Sequence, residues 1–403
     1  MSEKVQIFDT TLRDGEQVPG CQLKNHEKIE IALALQDLGV DIIEAGFPIS
    51  SPGDFKSVTE IARTLKDVVV CGLARVKKED IECTAEAIKD ARRKRIHLGI
   101  GSSDVHIKHK FNSTREKVLE QAVWGVKYGK SFVEDIEFYA EDAGRADLQF
   151  LAQLTEAVIA AGATVVNIPD TTGYCLPLQF GEKIKYLFEN VKNIHQATIS
   201  VHCHNDLGMA TANSMSGIMN GARQVEVTMN GIGERAGNTS LEEIAMILKV
   251  HKDINLHTDI RSEKIFPVSQ LVSRMMRMPV QPNKAIVGGN AFAHSSGIHQ
   301  DGFLKHAENY EIINPNDVGI PSSTIVLTAR SGRHALLHKI QELNFQISKE
   351  ELNEIYERFL TLADEIKVVD KKELAKLVLD WQREREEAEA VAAEEKGQEE
   401  QKA

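Results

Sequence analysis

The chain has 403 residues, of which 42 % are hydrophobic and 27 % charged, with a formal net charge of -12 at pH 7. That length holds a large core plus appendages, and the acidic balance gives no reason to expect nucleic acid or an anionic membrane as partner. The cysteines (Cys21, Cys71, Cys83, Cys175, Cys203) form no CxxC pair, and the opening MSEKVQIFDT has no apolar signal core; free thiols, a soluble chain and a cytoplasmic setting are expected, not a disulfide framework or thiolate zinc site.

Along the first 250 residues a short apolar run, turn residues and a helical stretch recur. The strand candidates are VQIFDT (5–10), VDIIEAGF (40–47), VVVCGL (68–73), RIHLGIG (95–101), EDIEFYA (134–140), TVVNIPD (164–170), ISVHCHND (199–206) and VEVTMNG (225–231). Helical spacing lies between them, as in Ile29, Ile31, Leu33, Leu35 and Leu38, in Leu148, Leu151, Leu154 and Val158, or in Leu241, Ile244, Ile247 and Leu248. Eight strand–helix units predict an α/β fold, a (β/α)8 TIM barrel over 1–265, with an open doubly wound sheet as competitor. The basic run Arg92-Arg93-Lys94-Arg95 reads as a solvated helix end.

After the barrel, a Met-, Pro-, Gly- and His-rich connector subdomain is expected over 266–345, including SGIHQDG (296–302). A helical subdomain over 346–380 opens on the capping-box pattern Ser348-Lys349-Glu350-Glu351 and carries Leu352, Ile355, Tyr356, Phe359 and Leu362 on one face. Asp370 starts a further helix with Leu374, Leu377 and Val378. The charged tail, 381–403, is expected as a solvated helix extension or disordered.

The unusual polar residues fall where strands end: Arg13–Asp14, Glu44, Glu141, Asp170–Thr171, His202–His204 and Asn238. In VHCHND, strand alternation sends His202 and His204 to one face and Cys203 to the other. Two imidazoles on one face serve a divalent metal, or are satisfied by hydrogen bonds without one. Strands 1, 7 and 8 adjoin in a closed barrel, so Asp14 is the third ligand expected. Asn238 would add an amide oxygen or act through water.

FDTTLRDGEQ (8–17), GFPISSPGDF (46–55), NIPDTTGY (167–174), VHCHNDLGMA (201–210), NGIGERAGN (230–238) and SGIHQDG resemble the 2-isopropylmalate synthase and homocitrate synthase family from about residue 4 to 340. The resemblance implies a metal-dependent acyltransferase that joins acetyl-CoA to a 2-oxo acid. The 2-oxo acid expected is 3-methyl-2-oxobutanoate, on the route to leucine, because of GFPISSPGDF, EDAGRAD and NIPDTTGY. It implies Asp14, His202, His204 and Asn238 as metal residues, for Mn²⁺, Mg²⁺ or Zn²⁺, with K⁺ as an activator. Arg13 would stabilise developing negative charge, Thr171 would hold the substrate carboxylate and His97 would line the pocket. Glu141 is the acid/base candidate, with an ion pair to Arg145 as its structural alternative. His299 resembles the family's catalytic histidine, which in relatives reaches the neighbouring subunit's site, and a homodimer follows from that.

Two departures stand out. Tyr139, in FYAED, occupies a place where relatives commonly carry serine, and it bears on the pocket wall. The sequence after residue 340 is short for the family's leucine-binding regulatory domain, so leucine feedback is expected to be absent. Homocitrate and citramalate synthases, and carbon–carbon lyases of the hydroxymethylglutaryl-CoA type, share the first and fourth motifs and are the competing activities.

Overall fold

The computed structural model describes residues 2–400 and divides into two compact units. The first runs to residue 281 with 285–287; the second comprises 282–284 and 288 onward.

In the first unit eight parallel strands close into a barrel in chain order. They are β1 (Gln6–Asp9), β2 (Ile42–Glu44), β3 (Val69–Arg75), β4 (Lys94–Gly101), β5 (Asp135–Glu141), β6 (Val165–Asp170), β7 (Thr198–Cys203) and β8 (Gln224–Val227). Closure is made by β1 against β8, with Gln6 opposite Gln224 and Asp9 opposite Val227. The open doubly wound alternative is thereby excluded. The surrounding helices are α1 (Asn25–Leu38), α2 (Pro52–Thr64), α3 (Lys78–Ala87), α4 (Arg115–Lys130), α5 (Leu148–Ala161), α6 (Pro177–Asn190), α7 (Ala210–Met219) and α8 (Leu241–Val250). Each turns its aliphatic stripe onto the strands; on α1 Ile31, Leu35 and Leu38 are fully buried. Helix α9 (Ile265–Met276) also belongs to this unit, beyond the residue where the sequence suggested the barrel would stop.

The basic run divides. Arg95 is not solvated: it points into the barrel, 5 % exposed, and bonds Asp135, Glu137 and Gln224. As the second residue of β4 it follows strand alternation, which overrides the charge run.

The second unit contains α10 (Gly297–Lys305), α11 (Arg333–Glu342), α12 (Lys349–Ile366) and α13 (Lys371–Glu400). The capping box forms: Ser348 Oγ accepts from Glu351 N, and Glu351 accepts from Ser348 N at 2.8 Å. Its core is hydrocarbon, built on Ile325, Leu336, Ile355, Phe359, Val378 and Trp381. Residues from the expected connector and from the expected helical subdomain therefore share one core. The charged tail continues α13 as helix, with Trp381 in the core and 383–396 exposed, while 401–403 lie outside the described residues. All five cysteines are free.

Candidate metal centre at the barrel rim

The strand ends of the barrel open on a cavity of ≈ 280 Å³. Arg13, Asp14, His97, Glu141, Thr171, His202 and His204 all line it. His202 and His204 do share a face, with Nε2 atoms 3.1 Å apart. Asp14, from the turn after β1, brings Oδ2 to 3.9 Å from His204 Nε2. One ligand atom from each of the three residues lies within 4.8 Å of the others, and all three residues are buried.

Their charges suit a cation. Burial holds both histidines down at about 4, so they are neutral with lone pairs to offer. Burial opposes the charge on Asp14 as well, yet Arg13 and the two imidazoles hold its carboxyl below the ordinary carboxylate range. His202 Nδ1 is taken by Glu226 Oε2 at 2.8 Å, leaving Nε2 facing the cavity. Two neutral imidazole nitrogens this close either share one proton or grip a cation together. The ionised carboxylate beside them and the unpartnered Nδ1 of buried His204 fit the cation.

Asn238 holds Asp14. The loop after β8 returns beside β7, where Asn238 bridges His204, and its Nδ2 donates to Asp14 Oδ1 at 2.7 Å. Asn238 Oδ1 is buried without a hydrogen-bond partner. Gly233, at φ +152°, makes this packing achievable: a Cβ there would strike Asn238 Nδ2 and approach Asp14 Oδ1 to 2.8 Å.

Arg13 clamps two carboxylates, Nη1 to Asp14 Oδ2 at 2.7 Å and Nε to Glu44 Oε2 at 2.6 Å. Glu44 in turn accepts from Thr10 at 2.7 Å and meets His97 Nδ1 at 2.8 Å. His97 Nε2 has no partner and lies 3.7 Å from Glu226 Oε1. A chain of buried groups thus runs from Asp14 through Arg13, Glu44, His97 and Glu226 to His202. Burial lifts the Glu226 carboxyl to about 7, and Glu137 beneath it likewise.

Glu141 reaches the cavity but pairs with Lys110, whose Nζ sits 2.7 Å from both carboxylate oxygens. The alternative, an ion pair with Arg145, does not form; Arg145 bonds Asp142 instead, at 2.8 Å. Burial opposes the charge on Glu141, but His106 and Lys110 hold it low, as a carboxylate. Thr171 Oγ1 accepts from Asp142 N at 2.9 Å. His299 belongs to the second unit, exposed on α10 and packed on Tyr310 with ring centroids 4.3 Å apart.

Among the lining residues that carry no role in the sequence reading are Glu226, Asn167, Arg235 and Leu73. Arg235 ties loops together, bonding Asp206 at 2.7 Å and the Thr171 carbonyl at 2.7 Å. Tyr139 forms pocket wall, its ring edge-on to His97 with centroids 4.8 Å apart. The ring lies over Gly99, where a Cβ would come within 2.5 Å of it.

A closed barrel with buried carboxylate and imidazoles at the strand ends defines a class of metal-assisted barrel enzymes. The HMGL-like family profile matches residues 4–272, and the chain belongs to that family. Residues 286–367 match the homocitrate synthase post-HMGL domain-like family. The chain is 62 % identical over 378 residues to a 2-isopropylmalate synthase from Parabacteroides distasonis, covering 94 % of this chain and 76 % of that protein. A 2-isopropylmalate synthase from Carboxydothermus hydrogenoformans is 56 % identical, covering 92 % of this chain and 73 % of the relative. Among solved structures, hydroxymethylglutaryl-CoA lyase from Pseudomonas aeruginosa has the same barrel, with TM-score 0.59 at 19 % identity over 70 % of this chain and 95 % of the lyase. Among the described residues no helix is long and apolar enough to cross a membrane.

Proposed function

We propose that this chain condenses acetyl-CoA with 3-methyl-2-oxobutanoate and, with water, releases 2-isopropylmalate and CoA. One observation carries the reading: a buried Asp14–His202–His204 group at the rim of a chain 62 % identical to a 2-isopropylmalate synthase. A divalent cation held there, Mn²⁺ or Mg²⁺ foremost, supplies a Lewis acid that polarises the 2-oxo acid's carbonyl.

The protein's own groups do the rest. Arg13, fixed between Asp14 and Glu44, sets a permanent positive charge where negative charge develops on oxygen as the carbon–carbon bond forms. Removing one such preorganised donor commonly costs roughly 3–4 kcal/mol of barrier. Thr171 meets the substrate carboxylate, and Arg235 steadies it through the Thr171 carbonyl. Glu141 enters the cycle as a carboxylate and takes or orients the methyl proton of the acyl donor. His299 is the proposed catalytic histidine, offered to the site of a second copy in a homodimer. Tyr139 narrows the wall beside His97 and so limits the 2-oxo acid's side chain. Free thiols suit the reducing cytoplasm.

The test is thiol release from acetyl-CoA with a panel of 2-oxo acids, with and without chelator. The expected result is chelator-sensitive release, fastest with 3-methyl-2-oxobutanoate and restored by Mn²⁺ or Mg²⁺. Preference for pyruvate or 2-oxoglutarate would move the assignment to citramalate or homocitrate synthesis, and chelator-resistant turnover would remove the metal.

A further inference from the structure

The rim loop after β4 is unlike its neighbours. His106–Lys110, the stretch HIKHK, forms a π-turn in which Phe111 N donates to His106 O at 3.0 Å. Such wide turns are rare and concentrate at functional positions. Ile107 is 4 % exposed and pins the turn to the barrel, so Lys108, His109 and Lys110 face solvent together. Lys110 is committed to Glu141. Among the described residues Lys108 and His109 have no carboxylate within 4.0 Å, whereas Arg145 and Arg235 on nearby loops are paired with Asp142 and Asp206.

This inference rests on the acyl-CoA reading above. A CoA thioester carries its reacting carbonyl at one end of a long uncharged arm and its phosphates at the other. A cavity of ≈ 280 Å³ that also takes the 2-oxo acid has room for the acetyl end only. The phosphates therefore rest on the rim, and a chain of net charge -12 repels a polyanion except where positive charge is left unpaired.

We propose that the HIKHK turn binds the phosphate groups of the acyl-CoA donor through Lys108 and His109. The Lys108 ammonium supplies the charge, and the His109 ring supplies a hydrogen-bond donor beside it. Lys110, bonded to Glu141, fixes this anchor next to a residue that lines the cavity.

The experiment compares kcat/KM for acetyl-CoA with that for S-acetylpantetheine, which has the same thioester and arm without the phosphates. In the wild-type enzyme the ratio should favour acetyl-CoA and fall with added salt. In Lys108→Ala/His109→Ala it should drop about fivefold, the scale of one or two exposed charge contacts. Adenosine 3′,5′-bisphosphate should compete with acetyl-CoA in the wild type and lose potency in the double variant. Lys108→Arg, which keeps the charge, should retain most of the ratio that Lys108→Ala loses. A ratio unchanged by the double substitution overturns the proposal while leaving the condensation intact. Wild-type enzyme that releases thiol from neither thioester overturns the condensation reading and this one with it.

Discussion

The barrel interior and the core of the second unit are built on opposite plans. In the wall and floor of the cavity the barrel buries Glu44, Arg95, His97, Glu137, His202 and Glu226, each tied to a neighbour by hydrogen bonds or ion pairs. The second unit packs Ile325, Leu336, Ile355, Phe359, Val378 and Trp381 as an apolar core, and its buried His294 pairs with Glu311 at 2.8 Å at the margin. Hydrocarbon of similar volume stabilises a fold at least as well as buried ion pairs do. The barrel therefore keeps its charges for what hydrocarbon cannot provide, a fixed orientation for Asp14, Arg13 and His202. Its stability comes from the aliphatic layer between strands and helices, where Ile7, Ile43, Leu98 and Val201 are fully or almost fully buried.

If that division holds, substitutions in the two regions separate activity from stability. His202→Ala should lower turnover more than about 100-fold, beyond the range for residues that only support a ligand, and abolish Mn²⁺ binding in titration calorimetry. Its unfolding midpoint should move little. Phe359→Ala should do the reverse, costing about 3–5 kcal/mol in denaturant unfolding while the barrel's metal affinity stays put. Loss of metal binding in Phe359→Ala would break the comparison outright.

Glu226→Gln probes the join between the two plans inside the barrel itself. It should weaken metal affinity about tenfold by loosening His202, with the circular dichroism spectrum unchanged. The smallest effect concerns Asp9, which burial lifts to about 7 despite two bonds from Thr11. Between its ordinary value and about 7 the folded chain holds a proton that the unfolded chain has released. Stability should therefore fall as pH rises through that window and level off above it. Asp9→Asn, which does not titrate, should flatten the slope of melting temperature between about pH 4 and about pH 7.

Strand order and strand positions were legible because each strand is a short apolar run closed by turn residues. The histidine pair was legible for the same reason, since alternation by two places both rings inward. The same rule applied to β8 puts Glu226 inward between Val225 and Val227, and applied to β4 it puts Arg95 and His97 inward. A lone acid in an apolar strand carries no motif to draw notice, so the partner of His202 came only with the folded chain. Glu141's partner was hidden for a different reason. Arg145 is near in sequence, but a tight turn with Asp142 at φ +63° commits Arg145 to Asp142 and leaves Glu141 to Lys110, 31 residues away.

The pairing of β1 with β8 has one more consequence. Asp14 follows the first barrel strand, His202 and His204 stand on the seventh, and Asn238 follows the eighth, so the set straddles the seam where the sheet joins itself. No partly synthesised barrel owns the whole set. Asp14 is therefore brought beside the two histidines only when the first strand pairs with the eighth and closes the ring.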